Sequence, residues 1–316
     1  MNQRSAELIM NCEAIGGANY LLLTEKSYLC LSKKESMERV KKPDWLKIKI
    51  GGEAHFSETQ NIVESHGLHT ICTSGKCPNL GECWGRGTAT FMIGGDICTR
   101  SCKFCNTKTG KPLPLNQKEP DNIAISIKLM GLKHAVITSV DRDDLTDMGA
   151  MHWANCINKI REVNPDTTIE VLIPDFQGKT ELIDFVCNAA PNVISHNMET
   201  VRSLTPNVRS AAKYDVSLSV LKRIAENGLK AKSGIMVGLG ETTEEILLLM
   251  DDLLAVNCSV LTIGQYLQPT RKHLPVAAYI HPDEFKRLKE IALEKGFEYV
   301  ESGPLVRSSY HAENCL

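Results

Sequence analysis

Residues 89–105 read ATFMIGGDICTRSCKFC, and this stretch decides the predicted fold. Its first six residues form an apolar run with the length and composition of a buried β-strand. Three cysteines follow, at Cys98, Cys102 and Cys105, with the spacing C-x3-C-x2-C. In barrels of parallel strands, active sites lie at the carboxyl ends of the strands. The stretch therefore predicts a first barrel strand, 89–94, that leads directly into a reactive loop.

Further strand-like runs follow at regular intervals, at residues 135–140, 168–174, 192–196, 231–239 and 260–267. Helical stretches separate them: Thr242 and Glu245 form a capping box for one helix, and another begins at Pro282 and stops at Gly296. This alternation predicts an α/β fold with a parallel sheet. A complete eight-unit barrel usually needs about 250 residues, and only about 210 are available. We predict a partial (β/α)6 TIM-type barrel; a flat, doubly wound sheet is the alternative.

The three thiols of the loop suit an iron–sulfur cluster. Three thiolates hold three irons of a 4Fe–4S cube and leave one iron without a protein ligand. Such an iron can bind the amino and carboxyl groups of S-adenosylmethionine and pass an electron to its sulfonium. A zinc site is the alternative, but zinc normally takes cysteine pairs with a fourth cysteine or histidine, and the loop contains no histidine.

A second trio lies just upstream. Residues 72–83 read CTSGKCPNLGEC, which spaces Cys72, Cys77 and Cys83 as C-x4-C-x5-C. Loops of this composition also build zinc knuckles, but the position directly before the first trio favours a second cluster. The other six cysteines have no motif spacing, and we expect them to be small buried hydrophobic residues. They are Cys12, Cys30, Cys156, Cys187, Cys258 and Cys315.

Composition excludes several classes of function. Among 316 residues, 36 Lys and Arg nearly balance 38 Asp and Glu, so no overall field favours nucleic acid or an anionic membrane. The longest strongly apolar run, 246–250, is far shorter than the roughly 18 residues of a membrane span. No secretory signal is visible, so the cysteines are not expected to form disulfides. We predict a cytoplasmic protein.

Residues 68–110 closely resemble lipoyl synthases, a family of the radical S-adenosylmethionine superfamily, most specifically in the two trios together. The similarity continues in four blocks, TSVDRDDL (138–145), SHNMET (195–200), TIGQYLQPTR (262–271) and VRSSYHA (306–312), so it covers roughly residues 40–313. Two departures affect only loop geometry. Thr73 and Ser74 stand where many members have acidic residues, and Met148 stands where many have a glycine.

The resemblance implies sulfur insertion at carbons 6 and 8 of an octanoyl chain that is amide-linked to a lysine of a carrier protein. It implies two 4Fe–4S clusters and S-adenosylmethionine as cofactors. The trio at Cys98, Cys102 and Cys105 would hold the radical-generating cluster. The upstream trio would hold an auxiliary cluster that supplies the sulfur. Expected partners are octanoylated carrier domains of the dehydrogenase E2 or glycine-cleavage H type, and an electron donor such as ferredoxin or flavodoxin, with no nucleic acid and no membrane.

The resemblance also implies that Ser309, in the Arg-Ser-Ser-Tyr block, is the fourth ligand of the auxiliary cluster. The alternative is that Ser308 and Ser309 only hydrogen-bond the last turn of the chain. Residues at strand ends suit contacts to the cofactor or, alternatively, capping and pairing with one another. Candidates for cofactor contact are Phe104, Asp141, Asn197 and Glu199, with Arg142 and Asp143 beside them. Catalytic side chains beyond the cluster ligands are not expected, and His66, His69, His134 and His196 are expected to be structural.

The predicted domains are an extension at 1–36, an auxiliary-cluster segment at 37–88, the partial barrel at 89–300 and a segment at 301–316 that completes the auxiliary site. The extension carries no motif, and we expect it to be disordered or not native, with Met37 as the natural start. Two other functions use paired clusters. A radical methylthiotransferase acting on RNA or protein predicts a basic appendage, which the sequence lacks. A ferredoxin-like electron carrier needs neither a barrel nor a vacant iron.

Overall fold

The computed structural model describes residues 41–47 and 55–316. The chain divides into two units, Met1–Lys41 and Lys42–Leu316, and the second is compact. The predicted extension at 1–36, with Cys12 and Cys30, lies outside the described residues, as does part of the predicted 37–88 segment. All helices and strands of the described residues belong to the second unit.

Ten strands occur in the described residues: β1 His69–Thr70, β2 Thr90–Ile93, β3 Ile97–Cys98, β4 Lys108–Thr109, β5 His134–Ser139, β6 Thr168–Leu172, β7 Val193–Ser195, β8 Lys230–Val237, β9 Val260–Gln265 and β10 Tyr299–Gly303. Eight of them form one sheet in the order β1-β2-β5-β6-β7-β8-β9-β10, in which β1 is antiparallel and all other neighbours are parallel. The short strands β3 and β4 pair separately.

The α-helices are α1 Phe56–Ser65, α2 Ile71–Ser74, α3 Leu80–Gly85, α4 Glu119–Leu129, α5 Ala150–Val163, α6 Thr180–Asn188, α7 Thr205–Val208, α8 Tyr214–Glu226, α9 Thr243–Ala255 and α10 Pro282–Lys295. Short 3₁₀ helices lie at Asp44–Leu46, Phe176–Gly178 and Ala312–Cys315. None of the described helices is long and apolar enough to cross a membrane.

Local sequence signals explain where the crossover helices start and stop. The predicted capping box opens α9, because the Thr242 hydroxyl accepts from the Glu245 N–H and the Glu245 carboxylate accepts from the Thr242 N–H. Helix α10 begins at Pro282 and ends at Lys295, and Gly296 caps it with a left-handed φ of 116°. Both predictions are confirmed.

Each of the six predicted strands coincides with a strand of the parallel sheet, β2 and β5–β9. Most of their buried apolar residues and one face of each crossover helix form one large hydrophobic core. Within the described residues the sheet is open, since β1 and β10 are its two ends. The predicted partial TIM-type barrel is confirmed, and the flat alternative is not favoured.

The sheet has one parallel strand more than the sequence predicted. Strand β10, Tyr299–Gly303, pairs in register with β9 from Tyr299↔Val260 to Gly303↔Gly264. Its sequence is YVESG, and only Val300 is fully buried. An edge strand with a single buried side chain has neither the apolar run nor the clean alternation that identifies strands in a sequence.

Met148 stands where many members of the family have a glycine, and its backbone has the left-handed conformation that glycine favours. Met148 has a φ of 50°, and Gly149 follows at 83°. A left-handed conformation costs about 1–2 kcal/mol for a residue with a Cβ. The Met148 side chain is buried in the core, which offsets this cost.

Candidate active site

One cavity of about 570 Å³ runs through the interior of the barrel. Inward-facing positions of the sheet line it, among them Val136, Thr138 and Thr262. All six motif cysteines also line it: Cys72, Cys77, Cys83, Cys98, Cys102 and Cys105. Both trios therefore open into one space.

The loop after β2 is tied to the loop after β5. The Thr99 N–H donates to the Asp141 carbonyl at 3.1 Å, and the Thr99 hydroxyl donates to the same carbonyl at 3.0 Å. Arg100 donates to both oxygens of Asp143, each at 2.8 Å, and to Asp175 Oδ1 at 2.7 Å. Burial opposes ionisation of Asp175, but hydrogen bonding from Arg100 and its charge lower the pKa of this carboxyl to about 2. A buried, bidentate pair thus fixes the cysteine loop on the sheet.

The other side of the same loop is held from α7 and from the segment after β9. Lys103 N–H donates to the Val208 carbonyl at 3.0 Å, and Ser101 N–H donates to Ser210 Oγ at 3.1 Å. His273 Nε2 lies 2.9 Å from the Cys105 carbonyl oxygen. Residues far apart in sequence therefore set the positions of Cys102 and Cys105.

Backbone donors surround the Cys98 sulfur. The N–H groups of Arg100 and Asp141 both donate to Cys98 Sγ at 3.4 Å. Burial, followed by the nearby charge of Asp141, raises the pKa of the Cys98 thiol to about 12. Binding iron as a thiolate would release this proton, and the two N–H groups are placed to stabilise the sulfur charge.

The upstream trio is carried by two short helices, Cys72 by α2 and Cys83 by α3, with Cys77 between them. Burial raises the pKa of the Cys83 thiol to about 12, and the two neighbouring cysteines add to this effect. Burial also raises the pKa of Cys72 and Cys77, against hydrogen bonding from the Thr90 and Asn79 N–H groups.

A segment after β10 completes the wall beside this trio. Asn79 Nδ2 donates to the Leu305 carbonyl at 2.8 Å, and the Tyr310 hydroxyl donates to Glu82 Oε1 at 3.2 Å. The Thr90 hydroxyl donates to Ser309 Oγ at 2.9 Å. Ser308 and Ser309 line the same cavity as the cysteines. Ser309 therefore reaches back to β2 and does not bond the last turn of the chain.

The predicted cofactor contacts fall into two groups. Phe104, Asp141, Asn197 and Glu199 all line the cavity. In contrast, Asp143 is paired with Arg100, and Arg142 donates to Asp144 at 2.8 and 2.9 Å and to the Gly94 carbonyl at 3.1 Å. Asp143 and Arg142 hold loops, as the alternative interpretation expected. Ligand roles for the first group stay predictions.

Five buried side-chain polar atoms have no hydrogen-bond partner among the described residues, and two of them lie where ligands are expected. Asn197 Nδ2 donates to Glu199 Oε1 at 3.0 Å, but its Oδ1 accepts nothing. The Trp84 Nε1–H is also unpaired, and this indole packs against Cys72. An acceptor beside the cavity and a donor beside the Cys72 thiol both suit the predicted groups.

The histidines and remaining cysteines are mostly structural, as expected. His196 has both ring nitrogens occupied, at 2.9 Å from the Ile173 carbonyl oxygen and 2.9 Å from Ser217 Oγ. His66 Nδ1 is 2.9 Å from the Ile62 carbonyl oxygen. His134 lines the cavity and its Nε2 has no hydrogen-bond partner among the described residues, so its role stays a prediction. The four scattered cysteines that the structure describes, Cys156, Cys187, Cys258 and Cys315, are buried.

Three residues at the site were missed by sequence reasoning. Arg209 lines the cavity beside the first trio, and its described partners are the Met198 carbonyl and Ser217 Oγ, not a carboxylate. Arg307 lines the cavity near Cys77 and donates to the Val306 carbonyl at 2.6 Å. His273 holds the Cys105 carbonyl. Of the three, only Arg307 lies in a sequence block that the resemblance singled out, residues 306–312, where Ser309 was predicted to be a ligand.

The described residues contain no group of three or more His, Cys, Asp or Glu side chains that could hold a single metal ion. The thiolates of an iron–sulfur cube each bind a different iron, so they need not converge on one point.

Comparison with known families agrees with this geometry. The family model described as the radical SAM superfamily matches residues 92–253, which span β2 to most of α9. A lipoyl synthase of Parabacteroides distasonis is 70% identical over 276 residues, which are 87% of this chain and 98% of that protein. A lipoyl synthase of Phocaeicola vulgatus is 69% identical over 277 residues, 88% of this chain and 98% of that protein.

Solved structures support the fold. Streptococcus suis SuiB bound to S-adenosylmethionine aligns with a TM-score of 0.53 and 12% identity, over 66% of this chain and 48% of that one. Methylornithine synthase aligns with a TM-score of 0.51 and 12% identity, over 83% of this chain and 86% of that one.

Proposed function

The chain belongs to the lipoyl synthase family of the radical S-adenosylmethionine superfamily, and from this membership we propose that it makes the lipoyl group on a carrier protein. It would insert two sulfur atoms, at carbons 6 and 8, into an octanoyl chain bound to a lysine of that protein. The enzyme is thus a sulfurtransferase.

One observation carries the proposal: both cysteine trios line a single cavity inside the barrel. Sulfur insertion needs the sulfur donor within reach of the carbon from which hydrogen is removed. Unactivated C–H bonds are beyond the acid–base chemistry of side chains, so cofactors must supply the reactive species. Two cluster sites that share one space meet both requirements.

The residues present fit two 4Fe–4S clusters and S-adenosylmethionine. Cys98, Cys102 and Cys105 would hold the radical cluster, while Cys72, Cys77 and Cys83, with Ser309, would hold the auxiliary one. When bound, these groups supply the radical that removes hydrogen and the sulfur that replaces it. The chain itself positions the ligands, directs N–H groups at their sulfurs and surrounds the reacting groups with the barrel interior.

Polar side chains around the first trio would bind the cofactor's charged groups. Arg209 is a buried cation without a described carboxylate partner, which suits the cofactor carboxylate. Asn197, whose Oδ1 is unpaired, and Glu199 suit hydroxyl or ammonium donors. Asp141 and Phe104 would contact the cofactor from the cysteine-loop side.

The substrate is a lipoyl-carrier protein, and we propose octanoylated domains of the dehydrogenase E2 or glycine-cleavage H type. A ferredoxin or flavodoxin would supply electrons, and neither nucleic acid nor a membrane would take part. Work in the cytoplasm remains our expectation, because reduced thiols and iron–sulfur ligands persist in a reducing compartment.

The test is anaerobic reconstitution followed by reaction with an octanoyl-lysine peptide, S-adenosylmethionine and a strong one-electron reductant such as dithionite. Mass spectrometry should find a peptide that has gained two sulfur atoms, with 5′-deoxyadenosine as co-product. Deoxyadenosine without sulfur gain on any octanoyl carrier would refute the proposal. Methylthiolation of an RNA or peptide would instead support the alternative radical enzyme.

Two single variants, Ser309→Ala and Ser308→Ala, test which serine is the fourth ligand. Lipoyl formation and cluster spectra are measured for both. We expect loss only for Ser309→Ala. Loss confined to Ser308→Ala would move the ligand by one residue, and full activity in both would end the assignment.

A further inference from the structure

Thr90 contacts the proposed serine ligand and lies beside the upstream trio. Its hydroxyl donates to Ser309 Oγ at 2.9 Å, and the preceding residue, Ala89, packs in one cluster with Cys72. Thr90 is the first residue of β2, is 8% exposed and lines the cavity. Its position is fixed by parallel pairing with Val136 of β5.

The direction of this hydrogen bond matters. Ser309 Oγ accepts and the Thr90 hydroxyl donates, and within the described residues neither side-chain oxygen has another partner. An oxygen that binds iron can still accept a hydrogen bond, whereas it can no longer donate one. Thr90 can therefore keep this hydrogen bond when Ser309 binds a metal, because the Thr90 hydroxyl supplies the hydrogen.

The two groups meet across the open side of the barrel. Thr90 lies on β2, next to one end of the sheet, while Ser309 follows β10, which is the other end. Their sequence separation is 219 residues, so no local turn brings them together. The β2 backbone is the rigid element, and the segment that carries Ser309 has no regular structure between Gly303 and Ala312.

We propose that Thr90 is the positioning residue of the auxiliary cluster's serine ligand. It holds the Ser309 oxygen in place and, once that oxygen is bound to iron, stabilises its negative charge by donating a hydrogen bond. The inference rests on the proposed function, in which Ser309 is a ligand that must bind firmly and later let go. Without this donor, the serine would leave the cluster early.

The test uses the full chain with Cys98, Cys102 and Cys105 replaced by Ala, so that only the auxiliary cluster is present. Iron release to a ferrous chelator is timed anaerobically for this parent and for Thr90→Val, which keeps the shape and removes the hydroxyl. We expect release about tenfold faster, which corresponds to about 1.4 kcal/mol. Thr90→Ser should restore the parent rate, since it restores the hydroxyl.

Thr205→Val is the matched control. Thr205 is also a buried threonine whose hydroxyl donates, to the Val201 carbonyl at 3.0 Å, but it does not line the cavity. The Thr205→Val variant should release iron at the same rate as the parent. If Thr90→Val does not fold, Thr90→Ala allows the same comparison.

A double-variant cycle separates the proposed role from a general effect on the fold. Ser309→Ala alone should speed release, and adding Thr90→Val should change nothing further. An equal effect of Thr90→Val with and without Ser309, or no effect at all, would overturn the inference. A parent-like rate for Ser309→Ala would overturn the ligand assignment and this inference with it. Because no turnover is involved, none of these results depends on whether the intact enzyme forms the lipoyl group.

Mössbauer spectra of the same proteins provide a second readout. Thr90→Val should change the signal of the one iron that binds oxygen and leave the three thiolate-bound irons unchanged. Identical spectra for parent and variant would count against the proposal.

Discussion

At the scale of single residues, the six cavity cysteines should divide into two groups with different phenotypes. Replacing Cys98 with Ala should abolish formation of 5′-deoxyadenosine, because no electron could reach the cofactor sulfonium. Replacing Cys77 with Ala should spare that cleavage but stop sulfur gain. Iron content should fall from about eight to about four in both variants. Cleavage is measured by chromatography and sulfur gain by mass.

Cys156→Ala is the control for this comparison. Cys156 is fully buried in the core and belongs to neither trio. It should keep both clusters and both activities. Lipoyl formation by the Cys77 variant would show that the roles of the two trios are wrongly assigned.

A second residue-scale prediction concerns His196, whose ring is buried and bonded on both sides. Burial, followed by the charge of Arg209, lowers the pKa of His196 to about 4. The unfolded chain binds this proton with a pKa of about 6.5. Between these values the unfolded state binds more protons, so stability falls as the pH falls.

From about pH 7.5 to about pH 5, His196 should therefore account for a loss of about 2 kcal/mol of unfolding free energy. Asp175 does not contribute in this window, because the stabilisation from its lowered pKa is lost only below about pH 4. Urea unfolding at both pH values should show a smaller pH dependence for His196→Gln than for the parent. Equal pH dependence in the two proteins would contradict the prediction.

At this scale the sequence predicted the site unevenly. The six cysteines that line the cavity were predicted from their spacing and from the closeness of the two trios in the sequence. The proposed role of Ser309 comes only from family resemblance, since a serine has no spacing signature. His273 and Arg209 were missed because each reaches the site through contacts that exist only after the chain has folded.

At the scale of elements, helix α6 is followed by a strained residue that can be relieved. Ala190 has a φ of 51°, a left-handed conformation in which glycine is favoured. Ala190→Gly should stabilise the chain by about 1 kcal/mol. Ala189→Gly is the matched control, because Ala189 has an ordinary φ of −70° and glycine there should destabilise by about 0.5–1 kcal/mol. Urea midpoints measure both effects, and shifts of the same sign would refute the argument.

Strands and helices whose own sequence shows an apolar run or a capping signal were predicted well. Elements that depend on contacts with neighbouring elements were not. Strands β5 and β8 are nearly continuous buried runs, as expected for strands covered on both faces. Strand β10 and the 3₁₀ helix at Ala312–Cys315 have few buried side chains of their own. Their conformations depend on β9 and on the amino ends of several strands, which periodicity does not report.

At the scale of the whole molecule, the chain's last segment connects the two ends of an open sheet. Near the auxiliary trio, its residues 305, 309 and 310 bond to Asn79, Thr90 and Glu82 respectively. Farther along, Cys315 packs with residues 193 and 260 at the amino ends of β7 and β9. The Lys230 ammonium also donates to the Cys315 carbonyl at 3.0 Å. The segment is thus held on both sides of Ser309.

The overall architecture was predictable because strand–helix alternation and chain length limit the barrel to about six units. For the closing segment, the sequence predicted its boundaries, residues 301–316, but not its path. Its path depends on Gly264, where an added Cβ would collide with the Val306 carbonyl oxygen. A glycine that admits another backbone looks the same in the sequence as a glycine in any turn.

Leu316, which is 54% exposed, provides the control for a test of this closing segment by truncation. Its deletion alone should leave iron release and product ratio unchanged. The longer deletion of residues 312–316 also takes away the packing of Cys315 and the bond from Lys230, while every described contact of Ser309 itself remains.

Removing residues 312–316 should make Ser309 more mobile, although none of its direct contacts is removed. With one end free, the segment samples more conformations, and holding Ser309 on the cluster costs more entropy. We expect auxiliary iron to be released about fivefold faster, as for a loss of about 1 kcal/mol, when release to a ferrous chelator is timed. The ratio of lipoyl product to 5′-deoxyadenosine should fall as well, because the cofactor would still be cleaved when the sulfur donor is incomplete. An unchanged release rate and ratio would mean that the contacts at Asn79, Glu82 and Thr90 hold the serine by themselves.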